Sequence, residues 1–164
     1  IEKELKSDVI FKLNSILPND IAVYNVFLVD DEKHVRFDAT SRSYEYKIWL
    51  GRNPFLLDFS WQIHSQRPDL KLMNEASKLL LEYTDFQTFS KVKTEVYTFN
   101  CDVTEAYWEQ NENELTFHIS ANRFLRNMVR AIVGTLLDVI ESKNRGNAGL
   151  SVPAKGLFLT NIKY

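Results

Sequence analysis

The segment over residues 124–140 constrains the fold of this chain more than any other. It contains adjacent apolar pairs that recur at steps of three and four residues: Phe124/Leu125, Met128/Val129, Ile132/Val133 and Leu136/Leu137. This spacing predicts a helix whose apolar surface covers most of its circumference. Such a helix has to be buried, so the rest of the chain must supply the elements that cover it.

A second pattern predicts a strand over Ser41–Leu50, where Arg42, Tyr44, Tyr46 and Ile48 alternate with polar residues or Trp49. Periodicity and turn residues predict helices over residues 1–17 and 70–83, strands over 21–29, 96–108, 114–120 and 156–164, and a packed loop over 55–68. The residues expected to face inward in the second helix are Leu72, Met73, Ala76, Leu79 and Leu80. The strands over 96–108 and 114–120 form a predicted hairpin, with residues 109–113 as its connection.

The predicted order of elements is α-β-β-α-β-β-α-β. This order indicates an α+β fold, with a mostly antiparallel sheet and helices packed on one face. The length of 164 residues and the absence of a linker-like segment predict a single domain over residues 1–164.

Composition excludes several classes of protein. The chain has 20 Lys and Arg against 22 Asp and Glu, so its charge alone does not indicate a nucleic-acid partner. No apolar run reaches the roughly 20 residues of a membrane-spanning helix. A single cysteine, Cys101, excludes an internal disulfide and is typical of a reducing, cytoplasmic setting. His34, His64 and His118 lack the spacing of metal ligands, so no metal site is predicted.

A narrow basic stripe interrupts the apolar surface of the predicted helix over 124–140 and its approach. Its members are Arg123, Arg126 or Asn127, Arg130 and Gly134. One interpretation is a solvent-exposed face. The other is that an arginine between apolar turns binds an anion, either a carboxylate of the protein or a phosphate of a ligand, because an unpaired buried charge is costly.

Arginine and aromatic residues also combine at Arg36 and Phe37 and along the predicted strand that contains Arg42 and Tyr44. Such a surface could stack a base and dock a phosphate. The alternative is an ordinary aromatic strand in a core.

Four blocks of the sequence, in order along the chain, resemble the bacterial tRNA pseudouridine synthase A family. They are H-V-R-F-D-A-T-S-R-S-Y-E-Y at 34–46, D-F-Q-T-F at 85–89, A-N-R-F-L-R-N-M-V-R-A-I-V-G at 121–134 and V-P-A-K-G-L-F-L at 152–159. Each block is weak alone, but the combination is specific and is distributed over most of the chain.

The resemblance implies an isomerase that converts uridine to pseudouridine in the anticodon arm of tRNA, without metal or organic cofactor. It also implies a homodimer in the cytoplasm. In the family an aspartate starts the reaction. By motif match, Arg130 pairs with that aspartate, Tyr44 stacks on the target base and Leu157 forms an apolar wall. The remaining predicted substrate-binding residues are Arg36, Phe37, Arg42, Asn122, Arg123 and Arg126.

One departure from the family pattern concerns the aspartate itself. Its G-R-T-D-x-G motif does not occur in this sequence, and the segment 140–149 is shorter than is usual in the family. We therefore expect the C-terminal portion of a longer synthase, inactive alone, with the nucleophilic aspartate in an N-terminal domain outside this chain. The alternatives are a non-catalytic RNA-binding or dimerisation module of the same ancestry, and a small-molecule α+β domain with a superficial resemblance.

Overall fold

A computed structural model describes residues 8–64, 68–91, 97–142 and 151–164. The chain divides into two compact units, Ile1–Asp38 and Ala39–Tyr164, and the single domain expected over residues 1–164 stays a prediction. The first unit contains helix α1 (Val9–Ile16). This helix confirms part of the predicted one, whose residues 1–7 lie outside the described part of the chain.

The strand predicted over residues 21–29 is wrong, because this segment has no strand pairing. Its backbone is bound to a side chain instead. The Asn14 amide donates to the carbonyl of Val23 (2.8 Å) and accepts from the N–H of Val23 (2.7 Å). The Asn14 side chain therefore supplies the hydrogen bonds that a neighbouring strand would otherwise make to Val23. The β-rich composition of the segment does not indicate such a contact.

In its described residues, the second unit contains a five-stranded sheet and two α-helices. Its elements are β1 (Ser41–Leu50), β2 (Trp61–Ile63), α2 (Leu70–Lys78), β3 (Val103–Asn111), β4 (Glu114–Ala121), α3 (Met128–Ser142) and β5 (Leu157–Lys163). Strand order is β2-β1-β4-β3, and β5 pairs with β1. Among the strand pairings that the structure describes, only β1–β2 is parallel. The predicted α+β class with a mostly antiparallel sheet is confirmed.

Strand β1 is the centre of this sheet. One of its edges pairs with β4 along nearly its whole length. The other edge is shared: Ser41 to Tyr46 pair with β5, and Ile48 to Leu50 pair with β2. Because β2 lies within the predicted loop over 55–68, that prediction is wrong in part. The pattern of helices and strands is therefore as predicted, but the strand predicted over 21–29 is absent and β2, which was not predicted, follows β1.

Helix α3 is the buried helix that the apolar pairs predict. Met128, Ile132 and Val133 are fully buried and belong to the same core cluster as Tyr46 and Phe117 of the sheet. The described part of α3 from Met128 to Leu137 therefore has the wide apolar surface expected of a helix covered by other elements.

The predicted start of this helix at residue 124 is wrong. Asn127 has a φ of 71°, in the left-handed region, so the helix cannot extend through it and begins at Met128. Arg123 and Arg126 lie in the loop before α3, and of the predicted basic stripe only Arg130 is an arginine on the helix.

Helix α2 is shorter than predicted and ends in a 3-10 turn at Leu79–Leu81. Met73 and Leu80 are buried as predicted and Ala76 is half-buried, but Leu72 and Leu79 are exposed. The buried face instead includes Ser77, whose hydroxyl donates to the carbonyl of Met73 (2.8 Å). A polar residue with a local acceptor could therefore take a core position.

The remaining boundaries follow the predictions more closely. The β3–β4 hairpin is confirmed, and Glu112 in its turn has a φ of 52°. The first hairpin strand begins at Val103 rather than residue 96, which lies outside the described residues. The predicted last strand is confirmed as β5.

One side chain of α2 is hydrogen-bonded to the backbone of edge strand β3. The Asn74 amide donates to the carbonyl of Trp108 (3.0 Å) and accepts from its N–H (2.8 Å). We expect Asn74→Ala to lower the free energy of unfolding by about 1–3 kcal/mol, because two half-buried backbone groups lose their partner. Urea unfolding measures this loss. Glu75→Ala, at the adjacent exposed position, is the control, and equal stability of the two variants would contradict the prediction.

Candidate active site

Arg130 is bound to the chain that leads into β5. Its Nε donates to the carbonyl of Val152 (2.6 Å), and the N–H of Val152 donates to the carbonyl of Arg130 (3.3 Å). Within the described ranges no Asp or Glu forms an ion pair with Arg130. The guanidinium is therefore held in place through Nε by a backbone carbonyl rather than by a carboxylate of the described residues.

Tyr46 lies beside this tether. Its ring is fully buried, and its hydroxyl donates to the carbonyl of Pro153 (2.7 Å). Burial raises the pKa of the Tyr46 hydroxyl, and the nearby positive charge of Arg130 lowers it by a smaller amount. Because burial dominates, the hydroxyl stays protonated and acts as a neutral hydrogen-bond donor.

Tyr44 lies two residues before Tyr46 and therefore on the same face of β1. It is half-buried, and the ring of Phe124 packs edge-on against it at 5.1 Å between centroids. Leu157 and Leu159 of β5 lie opposite Tyr46 and Tyr44. Directly opposed residues share a sheet face, so Tyr44 and Leu157 occupy adjacent rows of the face that packs on α3.

The three residues that the resemblance assigns to the reaction centre lie on connected elements, and their roles stay predictions. Tyr44 and Leu157 share a sheet face, and Arg130 is bound to the segment that runs into Leu157. Sequence reasoning assigned no role to Tyr46 or Phe124 in this arrangement. One signal was present: a tyrosine within a buried strand face requires an acceptor for its hydroxyl.

Arg42 and Asn122 form a polar connection at one end of the sheet. Arg42 Nη1 donates to the carbonyls of Ala39 (2.9 Å) and Asn122 (2.7 Å). The Asn122 side chain accepts from the N–H of Asp102 (2.9 Å) and donates to its carboxylate (2.7 Å). These bonds align β1 with the end of β4, and the predicted substrate contacts of both residues stay predictions.

The other predicted substrate-binding residues lie in loops. Arg123 is half-buried and Arg126 is exposed, and both precede α3. Arg36 and Phe37 belong to the first unit, where both are exposed and the guanidinium carbon of Arg36 lies 5.7 Å from the centre of the Phe37 ring. The structure therefore leaves these four as predicted contacts.

Other site types have no support in the described part of the chain. No group of three or more His, Cys, Asp and Glu there could hold a metal ion. None of the helices described is long and apolar enough to cross a membrane. Cys101 is fully buried, and that burial raises the pKa of its thiol, which disfavours the nucleophilic thiolate.

Comparison with known proteins shows similarity to one family of enzymes. Residues 76–164 match the family model for tRNA pseudouridine synthase. The chain is 47% identical to tRNA pseudouridine synthase A of Parabacteroides distasonis and of Bacteroides fragilis, over 93% of this chain and 66% of each relative. It is 35% identical to the Bacillus subtilis enzyme of the same name, over 94% of this chain and 68% of that relative.

The chain belongs to the tRNA pseudouridine synthase family, as the four sequence blocks predict. This excludes the alternative of a superficial resemblance. The chain spans 66% of the length of the first two of these relatives.

The environment of Cys101 generates a prediction. We expect the native protein to react with a thiol reagent such as iodoacetamide far more slowly than the urea-unfolded protein, because burial excludes the reagent and disfavours the thiolate. Mass spectrometry of timed samples measures the extent of alkylation. Equal rates in the folded and unfolded states would contradict the buried placement of this thiol.

Proposed function

We propose that this chain forms the part of a tRNA pseudouridine synthase that receives the target uridine of the anticodon arm and holds the arginine partner of the catalytic aspartate. The observation that carries the proposal is Arg130. Its guanidinium is tethered to Val152 at 2.6 Å and has no ion-pair partner among the described residues. The names of the similar proteins support the same activity.

The chemistry is an isomerisation of uridine. The bond from the sugar carbon C1′ to N1 of the base breaks, and a bond from C1′ to C5 forms. C5 loses its proton and N1 gains one, so the nucleotide keeps its composition. The target base leaves the stack to reach the site, as in other enzymes that act on a base. Tyr44 stacks on the flipped ring, and Leu157 covers its side and excludes water.

The aspartate comes from outside this sequence in our proposal, since the G-R-T-D-x-G motif is absent from it. The planar guanidinium of Arg130 matches a carboxylate with two parallel hydrogen bonds. It would hold that aspartate beside the sugar of the flipped nucleotide. The described chain alone then lacks the group that starts the reaction.

The proposal extends to partners. Arg36, Phe37, Arg42, Asn122, Arg123 and Arg126 are the proposed contacts to the tRNA. Contacts of arginine to phosphates release counterions, so tRNA binding should weaken as salt is raised. We further propose that the protein works as a cytoplasmic homodimer, a state that light scattering of the full-length protein would test.

The second candidate is a non-catalytic RNA-binding or dimerisation module of the same ancestry. Such a module would require arginines at its surface but no arginine held half-buried next to a stacking tyrosine. The two proposals differ in what the full-length protein does: only the synthase forms pseudouridine, whereas the module binds RNA or self-associates without forming it.

The role of Arg130 is tested in the full-length protein by Arg130→Lys. Lysine keeps the charge but loses the planar fork and the Nε bond to Val152, so we expect kcat to fall about 100-fold or more. Pseudouridine formation in tRNA, measured by mass spectrometry, gives kcat. Arg52→Lys, at an exposed position after β1, is the control. Wild-type kcat in Arg130→Lys would rule out the proposed pairing.

The role of Tyr44 is tested by comparing Tyr44→Phe with Tyr44→Ala. If the ring stacks on the base, phenylalanine retains affinity for tRNA, whereas alanine loses about 1–3 kcal/mol of binding free energy. Titration of tRNA measures the Kd, and thermal unfolding checks the packing of Phe124. Tyr83→Ala removes an exposed tyrosine as the control. Equal Kd values for the two Tyr44 variants would refute stacking.

A further inference from the structure

We propose that Tyr46 is a positioning residue for this site: it fixes residues 152–157, and through them it orients Arg130 and Leu157. The proposal rests on the proposed function. Tyr46 touches neither the substrate nor the reacting atoms in this account. It acts through the segment that leads into β5.

The first step is the anchoring of Pro153. The Tyr46 ring is fully buried in the core, where a hydroxyl without an acceptor would be costly. The carbonyl of Pro153 accepts from this hydroxyl at 2.7 Å. Since proline has no N–H, the Pro153 backbone can be held only through its carbonyl. The Tyr46 hydroxyl therefore anchors the segment at this point.

The second step is the contact of the same ring with Gly156. A Cβ at Gly156 would lie 2.6 Å from the carbonyl oxygen of Lys47 and 3.0 Å from Cζ of Tyr46. The backbone at Gly156 therefore approaches β1 and the tyrosine ring more closely than a side chain would allow. Tyr46 thus fixes the short turn at both ends, at Pro153 by a hydrogen bond and at Gly156 by packing.

The third step connects this turn to the reaction. Val152 directly precedes Pro153, and its carbonyl holds Nε of Arg130 at 2.6 Å. Leu157 directly follows Gly156 and lies opposite Tyr46 in the sheet. A shift of the turn would therefore move both the arginine and the apolar wall. Misplacement of a reacting group by about 1 Å can cost about 100-fold in rate.

The electrostatics agree with this arrangement. The charge of Arg130 acts on the Tyr46 hydroxyl and lowers its pKa, although burial raises that pKa by more. The two groups are therefore close enough to interact, and the protonated hydroxyl is available to hold Pro153. This observation supports the geometry and adds no separate catalytic role for Tyr46.

The test uses Tyr46→Phe in the full-length protein, which removes only the hydroxyl. We expect kcat for pseudouridine formation to fall about tenfold or more, while KM for tRNA changes less than about twofold, since Tyr44 and the surface arginines remain. We also expect faster amide hydrogen exchange in the peptide that contains residues 151–157. Gly156→Ala, which displaces the same turn, should reproduce both effects if Tyr46→Phe does not fold.

Asn74→Ala is the control, because it removes two hydrogen bonds between α2 and β3, neither of which involves residues 151–157. It should leave kcat and the exchange of residues 151–157 as in the wild type. An equal loss of kcat in this control would show general destabilisation and overturn the proposal, as would wild-type kcat in Tyr46→Phe. Absence of activity in the wild type would overturn the proposed function instead. Exchange rates would then decide alone, and unchanged rates in Tyr46→Phe would refute the positioning role.

Discussion

The reciprocal hydrogen bonds between Arg130 and Val152 are the interaction on which the site depends. Helix α3 is largely buried from Met128 to Leu137, so a cation in its first turns would be costly unless it bound a polar group. The carbonyl of Val152 supplies that group, and the N–H of Val152 returns a bond to the carbonyl of Arg130. The same pair of bonds joins α3 to the chain that enters β5. The same two hydrogen bonds therefore attach the buried helix to the neighbouring chain and position the guanidinium.

The central strand β1 connects this tether to the rest of the unit. One of its edges pairs with β5 and β2, and the other pairs with β4. Its backbone is therefore hydrogen-bonded on both sides. Tyr44 and Tyr46 consequently lie on a rigid element rather than on a loop. Both side chains lie on the same sheet face. In our proposal the half-buried Tyr44 contacts the substrate, whereas the fully buried Tyr46 holds the carbonyl of Pro153.

The sequence predicted those elements that carry a regular pattern of apolar residues. The alternation over Ser41–Leu50 marked β1 with its observed ends, and the apolar pairs identified α3 as the buried helix. Predictions failed where a single side-chain contact determines the local structure. The strand predicted over 21–29 does not form, and Asn14 binds the backbone of Val23 instead. The left-handed φ of Asn127 delays the start of α3 and cannot be read from apolar spacing. Tyr44, Arg130 and Leu157 were identified by motif, whereas the role proposed for Tyr46 depends on a hydrogen bond across about a hundred residues of sequence.

The central claim is that this chain holds the arginine and the base-stacking tyrosine but not the aspartate that starts the reaction. Pseudouridine formation by the purified 164-residue chain, assayed by mass spectrometry of tRNA, tests it most directly, with salt-dependent tRNA binding as the check that the chain is folded. The account predicts binding without any conversion of uridine. Turnover by this chain alone would contradict it, because another carboxylate, such as Asp38, would then have to supply the chemistry.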